Sequence, residues 1–439
     1  MATPNDGLWR QPQPEKALSL DDITIVDKSL LKRAVGAMAI GNAMEWFDFG
    51  VYSYIAVTLG KVFFPSSNPS AQLIATFGTF AAAFLVRPIG GMVFGPLGDR
   101  IGRKRVLAMT MILMAVGTFS IGLIPAYGSI GIFAPVLLLA ARLLQGFSVG
   151  GEFASSTAFL VEHRPDRAGF FASWQWASQG LAALIATGFG VFLTNTMSAA
   201  DLQAWGWRIP FAFGLLIGPV GYYVRSRMAE TPEFVEAGAS RAPMRDLLVN
   251  QWDRLLLATG AVVISNSSQY MIVYMPTYAI RELHLSQSVG FTAAVLAAAL
   301  QTLVVPFVGI WVDKVGQTPV MIGAAVLFAV TAYPAFALLG ANASLAVLVA
   351  MVCWLSLLKS FYSGALPSLM ARVFPTSTRV SGMSLSYNTG VAIFGGFAPF
   401  FAQSLIDLTG SKLAPSYYMV GTALLSLAAI VALRQRYRL

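Results

Sequence analysis

Charged side chains make up only 11% of this 439-residue chain, whereas a soluble domain carries about a quarter. That leaves too little polar sequence to clothe a surface in water, which excludes a soluble globular protein. A hydrophobic share of 56% excludes a disordered one. Cysteine is almost absent, and Cys353 alone cannot build an intrachain disulfide framework or a multi-thiolate metal site. Histidine is nearly as scarce: His163 and His284 fall in expected loops and are assigned neither a proton relay nor a metal. Without a cluster of ligands or nucleophiles the chain does not read as an enzyme, and no cofactor or metal is expected. The polar N-terminal stretch lacks the basic start, short apolar core and cleavage site of a signal peptide. The first membrane span is therefore expected to act as an uncleaved insertion signal.

What the chain has is apolar length. Its mean hydropathy is +0.67, and a membrane helix needs about 20 apolar residues. Stretches bounded by charge, Pro or Gly predict spans over 33–60, 73–97, 106–126, 131–160, 169–196 and 207–226, and again over 254–280, 288–312, 318–340, 345–371, 379–407 and 415–434. The expected fold is an all-α membrane protein of twelve transmembrane helices in two six-helix bundles. Its expected divisions are a cytoplasmic N-terminal segment (1–32), a first bundle (33–226), a cytoplasmic linker (227–253), a second bundle (254–434) and a cytoplasmic C-terminus (435–439). Glu230, Glu233, Glu236, Arg241, Arg245 and Asp246 make the linker polar, with room for a short amphipathic helix.

An internal repeat supports this division. Gly95, Asp99 and Gly102 after span two recur as Gly309, Asp313 and Gly316 after span eight, each at an offset of 214 residues. Duplication of a six-span unit leaves such a trace. The net charge of +9 also sorts by position. With both termini in the cytoplasm, all but seven of the 29 Lys and Arg fall on the cytoplasmic side. Lys61, Arg281 and Lys412 lie opposite, and Arg87, Arg142, Arg208 and Lys359 lie at or within spans. The positive-inside rule explains this basicity with no nucleic acid as partner.

Several segments resemble motifs of the major facilitator superfamily and, within it, of the metabolite–proton symporter family. Gly95–Arg105 (GPLGDRIGRKR) is similar to the superfamily signature between spans two and three, and Leu138, Arg142, Gln145 and Gly146 match the spacing of its span-four signature. Narrower marks are GNAMEWFDF from Gly41, RPIGG from Arg87, QGFSVGGEF from Gln145 and WGWRIP from Trp205. The stretch from Asp21 to Pro65 resembles proton-coupled transporters of proline and betaine, whereas Ser173–Gln179, Ala392–Pro399 and Leu408–Lys412 resemble citrate–proton symporters. The resemblance implies alternating access by a monomer, multi-pass in the lipid of a bacterial cytoplasmic (inner) membrane with both termini cytoplasmic.

A charge at the bilayer centre costs at least about 2.5–3.5 kcal/mol, so each one retained needs a use or a partner. Glu45, Asp48 and Tyr52 share one face of span one, with Asn42 a turn earlier. Glu45 or Asp48 is expected to take up the coupled proton, since burial favours the protonated acid; permanent pairing with a buried arginine is the alternative. Glu152 on span four is a further proton candidate. Arg142 reads as structural or gating, because the resemblance puts it in a superfamily-wide signature, yet it stays among the candidate substrate contacts with Gln145 and Arg87. Lys359, mid-span and unpredicted by the family marks, suits a substrate carboxylate; the alternative is an acid on a neighbouring helix. Gln175 and Gln179, Asn266, Gln269, Tyr270 and Tyr274, and Tyr387 and Asn388 supply neutral groups for the same cavity. The resemblance further implies gating contacts by Asp99, Arg100, Arg103 and Asp313. The expected function is a proton-coupled symporter importing a small organic anion, a di- or tricarboxylate such as citrate. The alternative is a symporter of zwitterionic osmolytes such as proline or glycine betaine.

Overall fold

The computed structural model describes residues 42–43, 46–101, 103–163, 165–214, 243–375 and 378–438. Ten helices among them are long and apolar enough to cross a membrane by length and composition. Span two is Pro69–Ile101, span three Arg103–Leu123 and span five Ala168–Thr196. Span four is split into Phe133–Val149 and Glu152–His163. In the second half, span seven is Trp252–Arg281, span eight Gln287–Val315, span nine Gln317–Ala341, span ten Leu345–Val373 and span twelve Ala414–Tyr437. Span eleven comprises Arg379–Gly390, Val391–Gly396 and Ala398–Thr409. Spans one (46–54 and Ala56–Phe63) and six (209–214) are described in part, which completes the twelve-helix architecture. A short helix, Pro243–Asn250, lies within the expected linker.

Three local expectations change. The Gly95–Arg105 segment, expected to be a loop, is helical on both sides of Gly102: span two stays helical to Ile101 and span three begins at Arg103. The matching end of span eight runs to Val315 and stops at Gly316, whose φ of +92° suits only glycine. Span four is interrupted at Gly150–Gly151. There a Cβ on Gly150 would lie 2.2 Å from the Arg87 carbonyl oxygen, so only bare backbone fits between spans two and four. Span eleven carries a π-helical turn at Val391–Gly396, where Gly395 and Gly396 let the Tyr270 and Phe84 rings close on bare backbone. His163, expected in a loop, ends the second helix of span four.

Helix association in lipid relies on close packing and interhelical hydrogen bonds. Spans two and four meet backbone to backbone: a Cβ on Gly146 would fall 1.8 Å from the Ala83 oxygen, and one on Gly90 would fall 2.0 Å from the Phe147 oxygen. Spans five and eight do the same across the two halves, with Gly169 and Gly309 each facing the other's carbonyl at 2.8 and 2.7 Å from a built Cβ. The second half adds hydroxyl contacts. Ser265 bonds Ser363 at 2.7 Å, Ser267 donates to Thr422 at 3.0 Å, and Ser426 accepts from the Ile264 amide at 2.9 Å. Of the ten spans described at full length, span seven is the most enclosed, with 78% of its apolar window buried against 33% for span nine.

Candidate functional site

Span one carries its acid into the first half. Asp48 Oδ2 accepts a hydrogen bond from Thr118 on span three, and Thr118 accepts one from Gln145 Nε2 at 2.7 Å. Gln145 Oε1 in turn accepts from Arg142 Nη1 at 2.8 Å. Acid and base are thus joined through two neutral side chains. The rest of the Arg142 cation rests on the Tyr52 ring, 3.7 Å from its centroid, and Tyr52 donates to the Thr76 carbonyl. All four members of this chain are buried, and among the described residues Asp48 Oδ1 and Arg142 Nε and Nη2 have no hydrogen-bond partner. Arg87 is solvated by rings: its guanidinium lies 4.4 Å from the Phe84 centroid, 4.6 Å from Phe49 and 5.5 Å from Trp46.

The second half supplies Lys359. Its ammonium donates to Gln269 of span seven and, at 2.6 Å, to Gln301 of span eight, and lies 5.0 Å from the Trp176 ring of span five. The acid expected as the alternative partner is not among these contacts. Gln269 also lines a small cavity between the halves with Trp46, Phe49, Tyr54, Gln179 and Tyr270. It has room for about one water molecule. Both amide atoms of Gln179 lack a hydrogen-bond partner among the described residues.

Other candidates stand apart from the cavity. Asn42 and Gln175 clamp span one to span five, Asn42 donating to the Gln175 carbonyl at 2.6 Å and accepting from its Nε2 at 3.0 Å. Tyr274 donates to Gln403, whose amide reaches Asp407 at 3.0 Å and Glu282 at 3.4 Å. Tyr387 stacks on Phe153 with centroids 3.5 Å apart, and Asn388 donates to the Gly150 carbonyl, so both join span eleven to the break in span four. Asn266 is buried on span seven, its Nδ2 bonded to the Val262 carbonyl. Glu152 is buried immediately after the break. Asp313 caps the start of span five, accepting from the amides of Gly169 at 2.7 Å and Phe170 at 3.0 Å. Glu45 and the side chains of Asp99, Arg100 and Arg103 lie outside the described residues.

The profile of the family described as "Sugar (and other) transporter" matches residues 34–241 and again 236–434. The chain belongs to that family. The chain is 37% identical to the proline/betaine transporter of Escherichia coli K12 over 96% of this chain and 87% of that one. It is equally 37% identical to the citrate-proton symporter of Klebsiella pneumoniae, over 92% of both chains. It is 38% identical to the glycine betaine/proline/ectoine/pipecolic acid transporter of Dickeya dadantii over 94% of this chain. A solved structure of the major facilitator superfamily proton:xylose symporter superposes with a TM-score of 0.77 over 94% of this chain and 96% of that one, at 15% identity. The human organic anion transporter MFSD10 gives 0.63 over 91% and 99%, at 17% identity. The sugar (and other) transporter assignment makes the chain a multi-pass membrane transporter rather than an enzyme.

Three partners escaped the sequence reading. Thr118 looks like any helix threonine until span three is laid against span one. Gln301 is a single amide in an apolar run, and Trp176 sits in a segment read for its Gln and Ser. A polar residue facing another buried polar residue is visible only once helices are paired.

Proposed function

We propose that the chain is a proton-coupled symporter of zwitterionic osmolytes of the proline and glycine betaine kind. The observation that carries this is the cavity's composition: aromatic rings from Trp46, Phe49, Tyr54 and Tyr270 beside the amides of Gln179 and Gln269, with Lys359 behind Gln269. Ring faces attract a quaternary or secondary ammonium, and Trp46 and Phe49 already solvate the Arg87 cation. The lysine end suits the carboxylate of the same molecule. The relatives that transport proline and betaine support this ahead of the anion reading.

In this reading Asp48 carries the proton, with Thr118, Gln145 and Arg142 as the chain that senses its charge. Asp313 and the Asn388–Gly150 contact act as interhalf latches on the side of the Gly95–Arg105 segment. That side is cytoplasmic, in a bacterial inner membrane surrounded by lipid, and the unit is a monomer built of bundles at 33–226 and 254–434. The cavity is too small for substrate in this state, so loading requires the halves to part.

A di- or tricarboxylate such as citrate is the second reading. It is favoured by the three buried cations Arg87, Arg142 and Lys359, which outnumber the described buried acids Asp48 and Glu152, and by the citrate-proton relative. Uptake into proteoliposomes after an outside-acid pH jump separates the two. Labelled betaine and proline should accumulate and citrate should not; accumulation of citrate alone overturns the proposal.

A further inference from the structure

Gln301 holds two groups at once. Its Oε1 accepts from Lys359 Nζ at 2.6 Å, while its Nε2 donates at 2.9 Å to the backbone carbonyl of Trp176 on span five. Lys359 is wholly buried and Gln301 nearly so. The ammonium has therefore exchanged water for two amide dipoles and an indole ring. A dipole is a weaker partner than a full opposite charge, and the gap widens where the dielectric is low. These ligands can be displaced by an entering carboxylate. Span five meanwhile holds unused polar groups nearby: Trp176 Nε1 and both amide atoms of Gln179 have no hydrogen-bond partner among the described residues.

We infer that Gln301 is a specificity-determining residue, a neutral placeholder that keeps Lys359 available to a substrate carboxylate. It also links that event to the packing of spans five and eight. When a carboxylate takes Nζ, Gln301 loses one of its two anchors, and the change reaches the Trp176 carbonyl directly. A glutamate at the same position would give Lys359 a permanent internal counterion and leave a substrate carboxylate nothing to pair with. The inference rests on the reading above only in that the substrate bears a carboxylate, and it holds for a zwitterion or a polycarboxylate alike.

The test is Gln301→Glu in the full-length protein in proteoliposomes, assayed with betaine, proline and citrate. For whichever of these the unsubstituted protein transports, KM should rise by about tenfold or more, as expected when a buried charge loses its partner, while the maximal rate changes far less. In a Lys359→Gln background the same substitution should add little, because the two side chains act as a unit. An unchanged KM, or an equal rise in the Lys359→Gln background, overturns the inference. If Gln301→Glu does not accumulate, Gln301→Met reads the same claim in the opposite direction. Removing the competing carbonyl should lower the dissociation constant measured by tryptophan fluorescence, and an unchanged or raised value overturns the inference. Failure of the function reading looks different: the unsubstituted protein would transport none of the three solutes.

Discussion

In the first half of the molecule the buried acid Asp48 and the buried base Arg142 are connected through Thr118 and Gln145, so each charge has an answering charge within the same bundle. In the second half the partners of Lys359 among the described residues are two glutamine carbonyls and an indole ring. A self-contained acid–base chain can change its proton count without a second ligand. A cation solvated by neutral groups remains open to one. The packing differs in parallel: spans two and four touch through bare backbone at Gly90, Gly146 and Gly150, whereas span seven is held by serine and threonine hydroxyls. Backbone contact cannot be re-made elsewhere after a shift, but a hydroxyl can change partners.

The largest expected effect comes from breaking the rigid side of that comparison. Gly146→Ala puts a Cβ 1.8 Å from the Ala83 oxygen, closer than atoms can approach. The helices must separate, at a cost of about 3 kcal/mol or more, at the upper end for overpacking. Membrane-inserted protein should fall sharply on an immunoblot of detergent extract; normal amounts would mean that spans two and four tolerate separation.

Next is Asp48→Asn, which keeps the Thr118 contact and removes the titratable charge. If Asp48 carries the proton, pH-driven accumulation should drop by roughly a hundredfold, equivalent to about 3 kcal/mol, while counterflow exchange persists. Loss of both activities together would make Asp48 a structural partner of Arg142. Lys359→Ala follows. Removing the cation that answers a buried carboxylate costs about 2–3 kcal/mol, or roughly a 30- to 150-fold rise in KM. An unchanged KM would take Lys359 out of the substrate site and leave the second half without a charge-bearing role.

How much of this was legible beforehand follows from what kind of signal each feature leaves. The twelve apolar spans and the 214-residue offset between Asp99 and Asp313 are one-dimensional patterns, and the fold carries them. Helical spacing also puts Asp48 and Tyr52 on one face of span one, but that Tyr52 meets Arg142 directly and Asp48 meets it through Thr118 and Gln145 comes from the pairing of helices. Tyr274, Tyr387 and Asn388 were read into the cavity on equal grounds, yet their partners are Gln403, Phe153 and Gly150. Spacing gives the face of one helix and says nothing about which helix lies against it. The close approach at Gly150 was hidden for the same reason: the atom it meets is the Arg87 carbonyl on another span.

The smallest effect tests the adaptable side. Ser265 and Ser363 join spans seven and ten by a single hydroxyl pair at 2.7 Å. In Ser363→Ala the remaining Ser265 hydroxyl can turn to a carbonyl of its own helix, the fallback that serine has in any membrane helix. The net loss should therefore be close to the average interhelical hydrogen bond in lipid, about 0.6 kcal/mol. A change of that size should lower the detergent melting temperature by about 1–3 °C and leave transport kinetics within about twofold. A loss as large as that of Gly146→Ala would show that the hydroxyl contacts are as unforgiving as the backbone ones. The two halves would then differ in chemistry but not in how readily they yield, and the case for the second half as the one that rearranges around substrate would fall with it.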